Sequence, residues 1–185
     1  MQQGARTAGA VAAYALAWVC AGALVAGALT LALRHGDDRT AKTVALPPVR
    51  ELALPSAARH AGCELRGLHA DDQLAVAMGR RRGAAAAPDA YESPVHAEAL
   101  GGALRRGLIV IEYRGDAAPE FVHQLDDLQR AQPRGTIVAP AGRASSYALV
   151  AASSRRLLGC RSIGPRTFDA VRLFQGRYVG VRPGG

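Results

Sequence analysis

Few residues in this sequence combine a reactive type with a useful spacing. His69, Asp71 and Asp72 put an imidazole and two carboxylates close together, and His96 is a further nitrogen donor; these are the candidate metal ligands. Their spacing matches no zinc, EF-hand or copper signature, so no metal site is assigned. Cys63 lies between His60 and His69, and a thiolate beside a base would be a nucleophile. No glycine-rich or elbow motif surrounds it, and no cofactor is expected. Ser93 with His96 is the only hydrolytic suggestion, but it lacks the Gly-x-Ser-x-Gly context and an assignable acid. A turn serine before Pro94 is the plainer reading.

The remaining chemistry is charge. Arg80, Arg81 and Arg82, the pair Arg105-Arg106 and the pair Arg155-Arg156 form basic runs. Such runs would attract anionic lipid headgroups or a polyanionic envelope polymer. After Lys42 the chain carries 19 arginines against 13 acidic residues, a net of +6. Nucleic acid is not expected, because stacking groups are scarce (Tyr91, Tyr113, Tyr147 and Tyr178). Lys42 is the only lysine beside 22 arginines, and alanine fills 39 positions. That bias reads as high-GC coding, which makes a solvated arginine-rich surface the plainer account of the runs.

The chain has 185 residues, 49% hydrophobic and 21% charged, with three cysteines. It suits a membrane anchor plus one domain and excludes wholesale disorder, a dense disulfide scaffold or a four-thiolate zinc site. Residues 8–33 carry no charge between Arg6 and Arg34. About 20 residues of helix cross a bilayer core, so this 26-residue run is read as a transmembrane helix behind a short N-terminal tail (1–7). A signal peptide would have a shorter apolar stretch and a better cleavage site than Ala28-Leu29-Thr30. Cys20 sits inside the run as apolar filler. Gly22 with Ala26, and Ala23 with Gly27, have the small-residue spacing that permits helix pairing, hence a possible homodimer. Arg34, Arg39 and Lys42 outnumber Arg6 across the run, which on the positive-inside rule draws the C-terminus to the cytoplasm. The very short N-tail with its free amine argues the opposite orientation.

Residues 34–56 read as a juxtamembrane linker, extended by Pro47, Pro48 and Pro55, and 57–185 as the domain. Leu108 to Ile111, ending in Glu112-Tyr113, reads as a buried strand. Asp116 to Ala131 reads as a helix with Phe121, Leu125 and Leu128 on one stripe. Its His123 falls on the polar face. Thr136 to Ala139 and Tyr147 to Ala152 read as strands. Thr167 is placed to cap a last helix that buries Phe168, Val171 and Phe174. The order β-α-β-β-α in the C-terminal half predicts an α+β fold. Residues 57–107 give no clear periodicity, and Gly83 to Pro88 reads as a low-complexity loop.

Several segments together resemble a known family. They are Gly107-Leu108-Ile109-Val110-Ile111-Glu112-Tyr113, Ile137-Val138-Ala139-Pro140, Leu158-Gly159-Cys160, the amphipathic stretch Phe168 to Tyr178, and the pair Gly62-Cys63. Their order over roughly Gly62 to Pro183 is similar to the domain of unknown function 3105 family, single-pass bacterial membrane proteins common in high-GC genomes. The family's Pro-Pro-Thr-Ser-Gly-Pro-His stretch is represented only by Ser93 and His96 within Ala90 to His96. Its His-Ser-Leu-Glu-His-Gly motif is replaced by Gly102-Ala103-Leu104-Arg105-Arg106-Gly107. Two guanidinium groups offer no lone pair to a cation, so a family metal site would be largely lost here.

Cys63 and Cys160 each follow a glycine, 97 positions apart. They are either a disulfide or two separate buried thiols. The extracytoplasmic compartment that the resemblance implies favours the disulfide, and with it an outward-facing domain. The expectation is a cell-membrane protein whose extracytoplasmic domain is a non-catalytic envelope binding or structural module. The alternatives are a divergent metal-binding or thiol-dependent enzyme, and a cytoplasm-facing anion-binding domain.

Overall fold

The computed structural model describes residues 46, 48–49, 53–80, 84–142 and 145–182. The 8–33 run and most of the linker lie outside them. Among the described residues, no helix is long and apolar enough to cross a membrane.

Among the described residues the expected α+β class is observed as a five-stranded sheet with five helices, in the order α1 (Leu54–His60), β1 (Cys63–Gly67), α2 (Gln73–Gly79), α3 (Ala97–Arg105), β2 (Ile109–Tyr113), α4 (Pro119–Ala131), β3 (Thr136–Pro140), β4 (Leu149–Ala152), β5 (Arg156–Cys160) and α5 (Pro165–Tyr178). Strand order across the sheet is β1-β5-β4-β2-β3. Only β2 and β3 pair in parallel, joined through α4; the other neighbours are antiparallel.

Strand side chains alternate between faces, and helices pack against both faces. On the inner face Ile109, Ile111, Val138, Leu149, Ala151 and Leu158 pack under α1, α4 and α5. The helices supply Phe121, Leu125 and Leu128 at 3.6-residue periodicity, and Phe168, Val171 and Phe174 likewise. On the outer face Val110, Ile137 and Ala152 meet Leu74 of α2 and Leu100, Ala103 and Leu104 of α3. The α2–α3 crossing is close: a Cβ on Gly101 would stand 2.4 Å from the Ala77 carbonyl carbon.

Several boundaries differ from the sequence reading, each for a local reason. Helix α4 starts at Pro119, not Asp116, because proline occupies the first helical turn, where its missing N–H costs nothing. Thr167 acts from the third helical position of α5: its Oγ1 accepts the Gly164 N–H at 3.0 Å. Strand β5 is absent from the β-α-β-β-α reading, which becomes β-α-β-β-β-α; exposed Arg156 and the interior Gly159 obscure its pattern. Helix α1 begins at Leu54, inside the stretch read as linker, and Leu54 is buried in the core. The alanine loop is also held: Ala86 N–H donates to Ala99 O, and Val138 exchanges backbone bonds with Asp89 and Tyr91.

Cys63 and Cys160 are directly opposite each other in the β1–β5 ladder and form a disulfide, with Cα atoms 4.1 Å apart. That spacing belongs to a non-hydrogen-bonded pair of antiparallel strands. The bond ties edge strand β1 to β5.

Candidate functional site

Cross-strand register explains where the outer face is left open. One row of residues runs Ile137, Val110, Ala152, Leu157 and Arg66, from β3 to β1. Helices α2 and α3 cover its first three members. The next row on the same face runs Ala139, Glu112, Val150, Gly159 and Glu64. A cleft of about 700 Å³ opens over this part of the sheet, with Glu112 and Val150 on its floor. Val150 and Leu157 line it from the sheet, Leu74 and Leu100 from the helices, and Pro94 and Val95 from the loop before α3.

Tyr147 closes one side. Its ring lies over Gly159, where a Cβ would come within 2.7 Å of ring carbons. Its hydroxyl donates to Glu64 Oε2 at 2.7 Å, and this bond raises the phenol's pKa. Beside it, Arg66 lies 3.6 Å from Glu64 through Nε and binds Asp72 bidentately, Nη1 to Oδ2 and Nη2 to Oδ1, both at 2.7 Å. Asp72 also accepts the His69 backbone N–H at 2.7 Å. The hydrogen bonds from Arg66 hold the Asp72 carboxyl below the ordinary carboxylate range, and the same contact raises the guanidinium. Arg114, a third wall residue, binds Asp116 through Nε at 2.6 Å.

Glu112 is different. It sits on the interior strand β2, half-buried between Val150 and Ala139. Its carboxyl has no hydrogen-bond or ion-pair partner among the described residues, and burial pushes its pKa up. A charged form is disfavoured there because it is partly removed from water without compensation.

The sequence-derived candidates divide accordingly. Asp71, Asp72 and His96 line the cleft, while His69 lies outside it as an exposed residue that contributes its backbone N–H. Asp72 is engaged by Arg66, and among the described residues no group of three His, Cys, Asp or Glu side chains converges on a point where a metal ion could sit. Cys63 is bonded to Cys160, so no thiolate is available there in this state. Ser93 is exposed, and among the described residues no hydrogen bond joins it to His96.

The arginine runs serve several local purposes. Arg105 Nη1 donates to the carbonyls of Ala77, Met78 and Arg80, satisfying the end of α2. Arg106 donates to Ala86 O, holding the alanine loop. Arg80 pairs with Glu98 at 3.1 Å across an exposed surface. Arg155 and Arg156 occupy the β4–β5 turn, where both backbone N–H groups donate to Ser153 Oγ. Arg81 and Arg82 lie outside the described residues.

Sequence reasoning missed Glu112, Tyr147 and Arg66 as site residues. A signal for Glu112 was present: one acid within an apolar strand, on the same face as Val110. Nothing local signals Tyr147 or Arg66, since each acts through a partner on another element. No family model matches the chain, and no curated protein or solved structure matches it either.

Proposed function

We propose that this chain is a single-pass membrane protein whose α+β domain lies outside the cytoplasm and works as a non-catalytic binding module. The observation that carries the reading is the 700 Å³ cleft over the outer sheet face. A cleft of this size is large enough for a small organic ligand. Apolar floor residues and a few convergent polar groups are the usual composition of such sites. The disulfide supports an oxidising compartment and thus the outward orientation. The uncharged 8–33 run supports the anchor. The resemblance to the domain of unknown function 3105 family is consistent with both.

Two measurements test it. In intact cells, a membrane-impermeant maleimide labels Cys63 and Cys160 only after reduction. Free thiols that label only after lysis would turn the domain inward. Native mass spectrometry of the full chain, released gently from its membrane, then shows a bound species that Val150→Trp removes by filling the cleft. Identical spectra for the two chains would remove the binding reading.

A further inference from the structure

The cleft's charges point to the class of ligand, and this inference rests on the binding reading above. The two described arginines of the wall are both occupied, Arg66 by Asp72 and Arg114 by Asp116. The tyrosine hydroxyl is occupied by Glu64. Glu112 is left on the floor, flanked across the sheet by Val150 and Ala139, with no cationic partner among the described residues. We infer that the cleft takes a small organic cation, a primary amine or guanidinium with a short hydrocarbon body, whose charge is set against the Glu112 carboxylate.

Both halves of that ligand have a counterpart on the wall. Val95, Leu100, Val150 and Leu157 offer apolar surface for the body. The carboxylate offers a charge-assisted acceptor to an N–H donor, which is a stronger bond than one between neutral groups. Burial raises the Glu112 pKa, and an arriving cation supplies the compensation that favours ionisation. A divalent metal fits less well: Asp71, Asp72 and His96 share the cleft with Glu112, yet no three such groups converge among the described residues.

The test uses the full chain in nanodiscs, titrated by ligand-observed NMR with benzylamine and with benzyl alcohol, its neutral counterpart. Benzylamine binds at least tenfold more tightly to the wild type, and Glu112→Gln removes the preference without lowering the melting temperature. Equal affinities in the wild type, or a preference that persists in Glu112→Gln, overturn the inference. So does Zn²⁺ binding that outcompetes benzylamine and depends on Glu112. The two levels fail separately. If Val150→Trp removes the native bound species but Glu112→Gln leaves it and the amine preference intact, the cleft stays a ligand site and the amine assignment falls. If the bound species survives Val150→Trp, the cleft reading itself falls.

Discussion

Reducing the Cys63–Cys160 bond lowers the stability of the domain mainly through the unfolded chain. The bond closes a loop of 97 positions, and in the chain-entropy account a loop near that length is worth about 4.7 kcal/mol. The folded side changes little, because five consecutive pairs from Cys63–Cys160 to Gly67–Arg156 hold β1 on β5, and Tyr147 reaches across to Glu64. Reduction is a cleaner perturbation than substitution. Both cysteines are buried, and thiols are apolar enough to stay there. Domains of this size have urea m-values of about 2 kcal/mol per molar. The urea midpoint of the full chain in detergent, read by pulse proteolysis, therefore falls by roughly 2 M on reduction, a large part of an ordinary domain's total of about 5–15 kcal/mol. A shift below about 0.5 M would refute the loop-entropy reasoning. It would mean that the reduced chain stays compact when unfolded, or that native strain offsets the entropy.

Three further outcomes follow from single contacts. The Glu112 pKa is raised by burial, so the fold holds this proton more tightly than the unfolded chain does; the stability it contributes is full below the ordinary value of 4.5 and is lost as pH rises through the folded value. The difference in urea midpoint between Glu112→Gln and wild type therefore grows in the variant's favour from acid to neutral pH, and a difference flat with pH would contradict this. Asp72 has the opposite sign: its pKa is lowered by Arg66, so its contribution stands above 3.8 and fades as pH falls through the folded value. Asp72→Asn costs about 1.5–3 kcal/mol at pH 7, the range for hydrogen bonds to charged groups, and much less in acid; an equal cost at both pH values would sink the account. Gly101→Ala sets a Cβ within 2.6 Å of three backbone atoms of Ala77 and Met78, which only a shift of α2 relieves. It costs about 1–3 kcal/mol and speeds amide hydrogen exchange in α2, and an unchanged midpoint would show that the crossing is looser than described.

The parts of the fold that were legible in the sequence are those with a strong local period. The β-branched run at Ile109 to Ile111 forms a strand whichever neighbours it meets, because both faces of a covered strand demand apolar side chains. Phe121, Leu125 and Leu128 mark α4 in the same way. Helices α1 and α2, of seven residues each, are too short and alanine-rich to carry a readable period. They are helical because the sheet offers them a face to cover. Strand β5 was hidden because its period is broken by Gly159, whose lack of a side chain makes sense only once Tyr147 lies over it.

By itself, then, the sequence determined the apolar strand β2 and its crossover helix, the amphipathic closing helix, the uncharged N-terminal run and the two cysteines available to pair. Tertiary structure alone decided that those cysteines face each other and that Asp72 belongs to Arg66. It also decided that Arg105 closes a helix end instead of facing solvent, and that Glu112 stands in a cleft with no partner among the described residues. The physical reason is the range of the forces. Hydrophobic periodicity repeats every two to four residues and can be read along the chain. A charge, by contrast, is paired or stranded according to what register and helix crossings bring within a few ångströms of it, and those neighbours come from anywhere in the sequence.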